Sequence, residues 1–207
     1  MSLKEDAYKS CQALYVRMEN QEIVGKIREN LQKRTKTDKI MWFSMWFLVS
    51  IITFGLALLP MIYCLVERRN RHFRRQKELE DLILTILKSK GTNLEIEQES
   101  FHERNSLLWA SSIILIVPIF AVAFLLSKDL LLHEQRQAFL FRKMFPDEKF
   151  VERKISLKFY AATTLATLGV GAIYWFYKIF NEYNKHFKEQ WKIEDRIVEL
   201  LEKGKTA

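Results

Sequence analysis

Long apolar runs alternate along this chain with runs dense in Lys, Arg and Glu. Met41 to Val66 holds no charged residue and exceeds the roughly twenty residues that cross a bilayer as a helix. Leu107 to Ser127 is a second such run. Phe159 to Phe180 is a third, apolar but for Lys178 and flecked with Thr163, Thr164, Thr167, Gly169 and Gly171. Trp42, Trp46 and Tyr63 flank the first, Trp109 opens the second, and Tyr174, Trp175 and Tyr177 close the third, as amphipathic rings do at headgroup depth. Each run therefore predicts a spanning helix, the first kinked in its second half by Gly55 and Pro60 and the second accommodating Pro118 because neighbouring groups recover the lost bond.

The polar runs read as helices too. Ala7, Cys11, Leu14, Tyr15 and Met18 recur at three and four within an expected helix from Asp6 to Gln32, and the stripe loses phase near Gln21. After the first apolar run, Phe73, Gln76, Leu79 or Glu80, Ile83 and Ile86 or Leu87 trace a coiled-coil-like seam. After the second, Leu131, Ala138, Leu140 and Phe141 surround a polar stripe containing His133 and Gln137. After the third, Phe187, Gln190, Trp191, Ile193 or Glu194, Ile197 and Leu200 or Leu201 form a second seam.

Two of these units are copies. Thr53 to Leu87 and Thr167 to Leu201 align without a gap, sharing Thr53/Thr167, Gly55/Gly169, Tyr63/Tyr177, Asn70/Asn184, His72/His186, Phe73/Phe187, Gln76/Gln190, Glu80/Glu194, Asp81/Asp195, Ile83/Ile197 and Leu87/Leu201. The expectation is an all-α integral membrane protein with about three transmembrane helices and long charged helical extensions. It divides into an N-terminal helical segment (1–40), a first repeat (41–90), a middle span with its polar helix (91–158) and a second repeat (159–207). Three crossings make the copies parallel, so their extensions leave one side and pair through their seams, within one chain or across a dimer. Lys and Arg are nearly balanced between the two sides, and the positive-inside rule does not orient the chain. An alternative removes that conflict: the apolar runs are broken hairpins, interrupted centrally by Gly or Pro, which leaves every basic block on one side.

Composition adds little beyond this pattern. Six Gly and three Pro in 207 residues favour helix, and the +8 charge sits beside apolar runs, where lipid headgroups rather than nucleic acid meet it. Cys11 and Cys64 form no framework for a disulfide. The expected partners are the lipid bilayer and other membrane subunits or a second copy, with no nucleic acid, in a multi-pass protein of the cell membrane.

Thr167, Gly169, Tyr174 and Trp175, in the order T-x-G-x-x-x-x-Y-W, precede Tyr177 and the Asn184-x-His186-Phe187 segment. This pattern resembles a widespread class of small prokaryotic integral-membrane domains of unknown function. The resemblance covers Leu108 to Lys192, including the His133-Glu134 pair. The upstream copy departs from it, with Pro60 and Met61 in place of the Tyr-Trp pair. The resemblance implies a membrane location and transfers no activity.

His72 and His186 are the candidate metal ligands, each with Gln four residues on and Glu80 or Glu194 eight residues on. Two facing copies could supply two imidazoles and two carboxylates. His to Glu covers about 12 Å of helical rise, so one helix cannot bring both to one ion. The competing assignment gives Arg68, Arg69, Arg71, Asn70, Asn184, Phe73, Phe187, Gln76 and Gln190 to headgroup or partner contacts and leaves metal out. His102-Glu103 and His133-Glu134 lack the second His of a zinc-protease motif, and no phosphate-cradling loop or nucleophile elbow occurs. The expectation is thus a non-catalytic accessory or scaffolding subunit without a cofactor. A metal or redox component using His72 and His186 is the first alternative, and a small transporter or channel the second.

Overall fold

The computed structural model describes Met18 and residues 21–89, 102–115, 117–144 and 156–202. Among them all regular structure is helical, in agreement with the expected class. Helix α1 covers residues 21–32 and α2 is the short Arg34–Thr37. The three apolar runs each divide in two. Helix α3 (Phe43–Ile52) precedes α4 (Leu58–Ser89), α5 (Ser106–Ser112) with a 3-10 turn at Ile113–Leu115 precedes α6 (Val117–Met144), and α7 (Leu157–Ala166) precedes α8 (Gly171–Glu202).

The division corrects the expectation of continuous spanning rods. No helix among the described residues is long and apolar enough to cross a membrane. What stops α3 and α7 is a shared turn. Phe54 and Leu168 are left-handed at φ 50° and 49°, and Gly55 and Gly169 follow at φ 89° and 98°. The Gly55 amide donates to Ser50 O at 2.7 Å and that of Gly169 to Thr164 O at 2.8 Å, the six-to-one closure of a Schellman cap. Thr53 and Thr167 couple the two helices. Each hydroxyl donates back to the preceding helix, at Val49 O and Thr163 O, and accepts from the first turn of the next, at Ala57 N and Gly171 N. The prolines do not kink mid-helix: Pro60 and Pro118 fall in the first turns of α4 and α6, where an N–H has no helical partner to lose.

The short helices fold back along the long ones. Tyr160 of α7 meets Tyr174 and Trp175 of α8, and Gly171 lies so close to α7 that a Cβ there would come within 2.9 Å of Thr163 and Thr164 backbone atoms. Three helical hairpins result, and their long arms all run the same way. Arg69 meets Asp129, His72 meets His133 and His186, Gln76 meets Gln137 and Gln190, and Tyr183 reaches Leu126, so α4, α6 and α8 are parallel. The expectation of a middle segment running opposite to the two repeats is therefore corrected.

Packing follows the predicted seams. Leu79, Ile83, Ile86, Leu87, Leu140, Phe141, Ile197 and Leu200 form a buried cluster at the far end of the arms, which Ile23, Ile27 and Leu31 of α1 complete. That stripe on α1 escaped the sequence reading, which lost phase at Gln21; Ala7, Cys11, Leu14 and Tyr15 lie outside the described residues, and Met18 is exposed. A second cluster near the turns joins Ile62, Leu65, Val66, Val122, Ala123, Leu126, Phe176 and Phe180. Gly171→Ala should cost about 1–3 kcal/mol by overpacking, whereas Gly25→Ala in α1, with nothing within 4 Å, should gain up to about 1 kcal/mol. Denaturation midpoints of the purified variants would show the opposite signs.

Candidate metal centre

His72, His133 and His186 stand at one level of the three parallel arms, each followed four residues later by a glutamine. The turns fix this level. Phe54, Leu115 and Leu168 precede the three histidines by the same number of residues, so a hairpin of constant length lifts each imidazole to the same height. The middle hairpin is thus a third, diverged copy of the repeat. It lacks the Thr and Gly of the turn, and the spacing of His133 and Gln137 was its remaining sequence signal.

The neighbours of the histidines rotate in the same order. The residue after each His packs on the ring of the next arm: Phe73 stacks on His133 at 4.3 Å between centroids, and Phe187 lies 4.6 Å from His72. The corresponding residue of α6, Glu134, binds His186 Nδ1 at 3.0 Å. Asparagines serve the same cycle. Asn184 brackets the backbone of Met41 ahead of α3 with bonds at 3.1 and 2.6 Å, and Asn70 brackets that of Arg104 ahead of α5 at 3.2 and 2.7 Å.

At the centre, His72 Nε2 and His186 Nε2 are 3.0 Å apart, and a ring nitrogen of His133 completes a trio within 4.8 Å. His72 Nδ1 lies 2.9 Å from Asp38 Oδ1. An ionised carboxylate only accepts hydrogen bonds, so both Nδ1 atoms carry the protons and donate them to Asp38 and Glu134. Both Nε2 atoms then present lone pairs to each other. That contact is repulsive unless a cation stands between or beside them. A shared proton would satisfy these two nitrogens alone, and it would leave His133 Nε2, which is buried with no hydrogen-bond partner among the described residues, still unsatisfied. Burial also holds His72 against protonation, lowering its pKa to about 4 despite the opposing pull of Asp38, and pushes that of His133 well below its ordinary value.

The donor set suits a metal. Two nitrogens about 2.0–2.1 Å from a tetrahedral ion are separated by about 3.3 Å, a few tenths of an ångström wider than the observed pair. Imidazole nitrogens favour zinc, copper, iron or nickel, and the Asp38 and Glu134 contacts are the outer partners that orient metal-bound histidines. Three protein ligands leave at least one position for water or a substrate. His133 is the ring that borders open space, a cavity of about 290 Å3 lined by Arg69, Lys77, Arg104, Lys128 and Arg136 against Glu80 and Asp129.

Below the histidines lies a glutamine layer. Gln76 Oε1 accepts from Gln137 at 2.7 Å and from Gln190 at 3.1 Å, and its own amide donates to Glu194. Glu80 and Glu194, grouped with the histidines in the sequence reading, are placed two turns away. Glu80 pairs with Arg136 at 2.9 Å, and Glu194 with Arg75 at 2.8 Å and Arg34 at 3.2 Å. Asp38, His133 and Glu134 were not among the expected site residues. Asp38 lies in the connection before α3, where no periodicity points to it.

Several residues expected to face headgroups or partners are instead internal. Arg68 is sandwiched by the rings of Phe180 and Tyr183 at 5.3 and 5.0 Å and donates to Asn184; burial lowers its pKa to about 10, so it stays charged at neutral pH. Arg69 binds Asp129 at 3.0 Å and the carbonyl of His102 at 2.8 Å. Phe73, Phe187, Gln76 and Gln190 are buried, and Arg71 remains exposed beside Glu67. No protein-family profile, curated protein or solved structure matches the chain.

Arg75 joins Asp38 and Glu194, both at 2.8 Å and all three buried. Arg75→Met should therefore cost about 3–5 kcal/mol by removing the guanidinium that two buried carboxylates share, while Arg71→Met on the exposed Glu67 pair should cost under about 1 kcal/mol. Paired chemical-denaturation curves would check the contrast.

Proposed function

We propose that this chain is a metal-binding protein attached to a lipid bilayer, in which His72, His133 and His186 hold one first-row transition ion. The observation that carries this reading is the pair of Nε2 lone pairs at 3.0 Å with a ring nitrogen of the buried His133 within 4.8 Å, both Nδ1 protons being committed to carboxylates. A cation at that point satisfies three buried nitrogens at once. His133 also lines the basic cavity, a setting suited to a bound water or a small anionic ligand. Lipid attachment is supported by the exposed apolar side chains gathered at the turn end of the hairpins.

The expectation of a scaffolding subunit is a second proposal. It draws on the charged outer faces of α4 and α8, yet the seams that suggested a partner are occupied by α6 and α1. A scaffold alone would not need three buried imidazoles converging on one point.

Full-length protein purified without a histidine tag should carry close to one equivalent of metal by elemental analysis, or take up one equivalent of Co(II) with ligand-field bands of a nitrogen-rich site. His72→Ala, His133→Ala and His186→Ala should each lose at least tenfold in affinity. Asp38→Asn should lose about 10–100-fold through its orienting bond. Glu80→Gln, two turns from the histidines, and Arg71→Met on the exposed surface should bind normally. Wild-type protein that stays metal-free under titration with Zn(II), Co(II) and Cu(II) would refute the reading.

A further inference from the structure

The turn end of the molecule is built for depth. Its two well-capped turns leave no amide unsatisfied. From Thr53 through Leu58 every N–H donates within the turn, the last at 3.0 Å to Gly55 O, and the same holds from Thr167 through Ala172, with the Thr hydroxyls taking the amides of Ala57 and Gly171. Water would supply such partners at an ordinary surface loop; hydrocarbon supplies none. At the apex of each turn stands a bulky apolar side chain in the open: Phe54 and Leu168 are each 98% exposed, and Leu115 of the middle hairpin is 73% exposed. Phe54 and Leu168 also occupy left-handed backbone, which Gly or Asn adopts at less cost. Strained, exposed and apolar is a combination that aqueous stability does not explain.

We propose that all three hairpin tips enter a single leaflet of an anionic bilayer and turn back inside it, so that no described helix crosses. This deepens the lipid part of the reading above and is independent of the metal. The lengths agree with it. Helices α3 and α7 have 10 residues each, about 15 Å of rise, which is half of the roughly 30 Å hydrocarbon thickness. Exposed Trp42, Tyr63, Tyr174 and Tyr177 ring the shoulder at the depth where amphipathic rings settle. The first charged residue leaving the tip along each arm is Lys39, Glu67, Arg104, Lys128, Lys158 or Lys178, cationic in every case but the Glu67 that pairs with Arg71. A collar of that sign fits anionic headgroups. With His72 about 21 Å of rise beyond the start of α4, the histidine trio lies just outside the hydrocarbon on the same side as every arm.

Full-length protein with Cys11→Ser and Cys64→Ala, reconstituted in sealed vesicles of phosphatidylcholine and phosphatidylglycerol, would carry one reporter at a time: Lys39→Cys, Arg71→Cys, Lys128→Cys, Lys158→Cys or Lys188→Cys. An impermeant maleimide should label all five to the same extent before lysis. Opposite accessibility of Lys39→Cys and Arg71→Cys would mean that the first apolar run crosses, overturning the single-leaflet topology while leaving bilayer attachment intact. Failure of the protein to float with the vesicles would overturn both. Phe54→Asn combined with Leu168→Asn keeps residues that tolerate the left-handed turn and should weaken vesicle partitioning at least tenfold, with an unchanged thermal midpoint in detergent. Undiminished partitioning would also refute tip insertion.

Discussion

The reversal of direction at Thr53-Phe54-Gly55, and at its counterpart Thr167-Leu168-Gly169, is the constraint on which the rest of the molecule depends. A helix that continued through these residues would send the following arm away from the preceding one and set the middle segment antiparallel to its neighbours. Turning back instead makes every long arm start at the same end. Because the chain from turn to imidazole has one length in all three hairpins, parallel packing alone brings three histidines level. The Thr hydroxyl, bonded to the last turn of one helix and the first turn of the next, makes that reversal a fixed joint.

Parallel arms create an electrostatic difficulty that the interior resolves in layers. Three helices of like sequence bring like groups together at each level, and three imidazoles, three amides and several guanidinium groups are all drawn inward. The amides form a hydrogen-bonded layer because Gln76 is donor and acceptor at once, accepting from Gln137 and Gln190 and donating to Glu194. The guanidinium groups are spread out: Arg68 goes to aromatic faces, Arg69 to Asp129, and Arg75 to Asp38 and Glu194. The imidazoles of His72 and His186 have no such internal solution, since their donors are already committed to Asp38 and Glu134. The proposed cation would balance this layer without adding a buried charge lacking partners, because two carboxylates stand directly behind the rings.

Much of this was legible in the sequence, and what was missed has physical causes. Helical class, the seams and the paired identities from Thr53 to Leu201 follow from periodicity and repetition. The hairpins were one of two arrangements consistent with charge-free runs of spanning length, and hydropathy alone does not separate them, because it records how apolar a run is and not whether its backbone reverses. Gly55 reads from sequence as a weak point within a rod and Gly169 as one of several small residues; the positive φ of both shows them to be stops. His133 was noticed with Gln137 and set apart from His72 and His186, because the third copy keeps the two polar residues facing the axis and loses the turn motif that advertised the other two. Asp38 was beyond reach, since its role arises from where α3 and α4 bring the preceding strand of chain, a tertiary fact.

The arrangement of layers also explains why a polar interior is retained between two apolar clusters. Apolar seams repeating at three and four residues allow parallel helices to slide by a turn at small cost, since one Leu or Ile replaces another. A slide by one turn would here set a histidine level opposite a glutamine level, separate Arg75 from Asp38 and Glu194, and strand several buried polar groups at once. Each of those losses costs on the order of 1–3 kcal/mol or more, so only one register survives. That register holds the tips of the hairpins level at one end and the imidazoles level in the middle. The apolar end and the histidine centre are thus two readings of the same alignment, and a change that shifts one arm must disturb both.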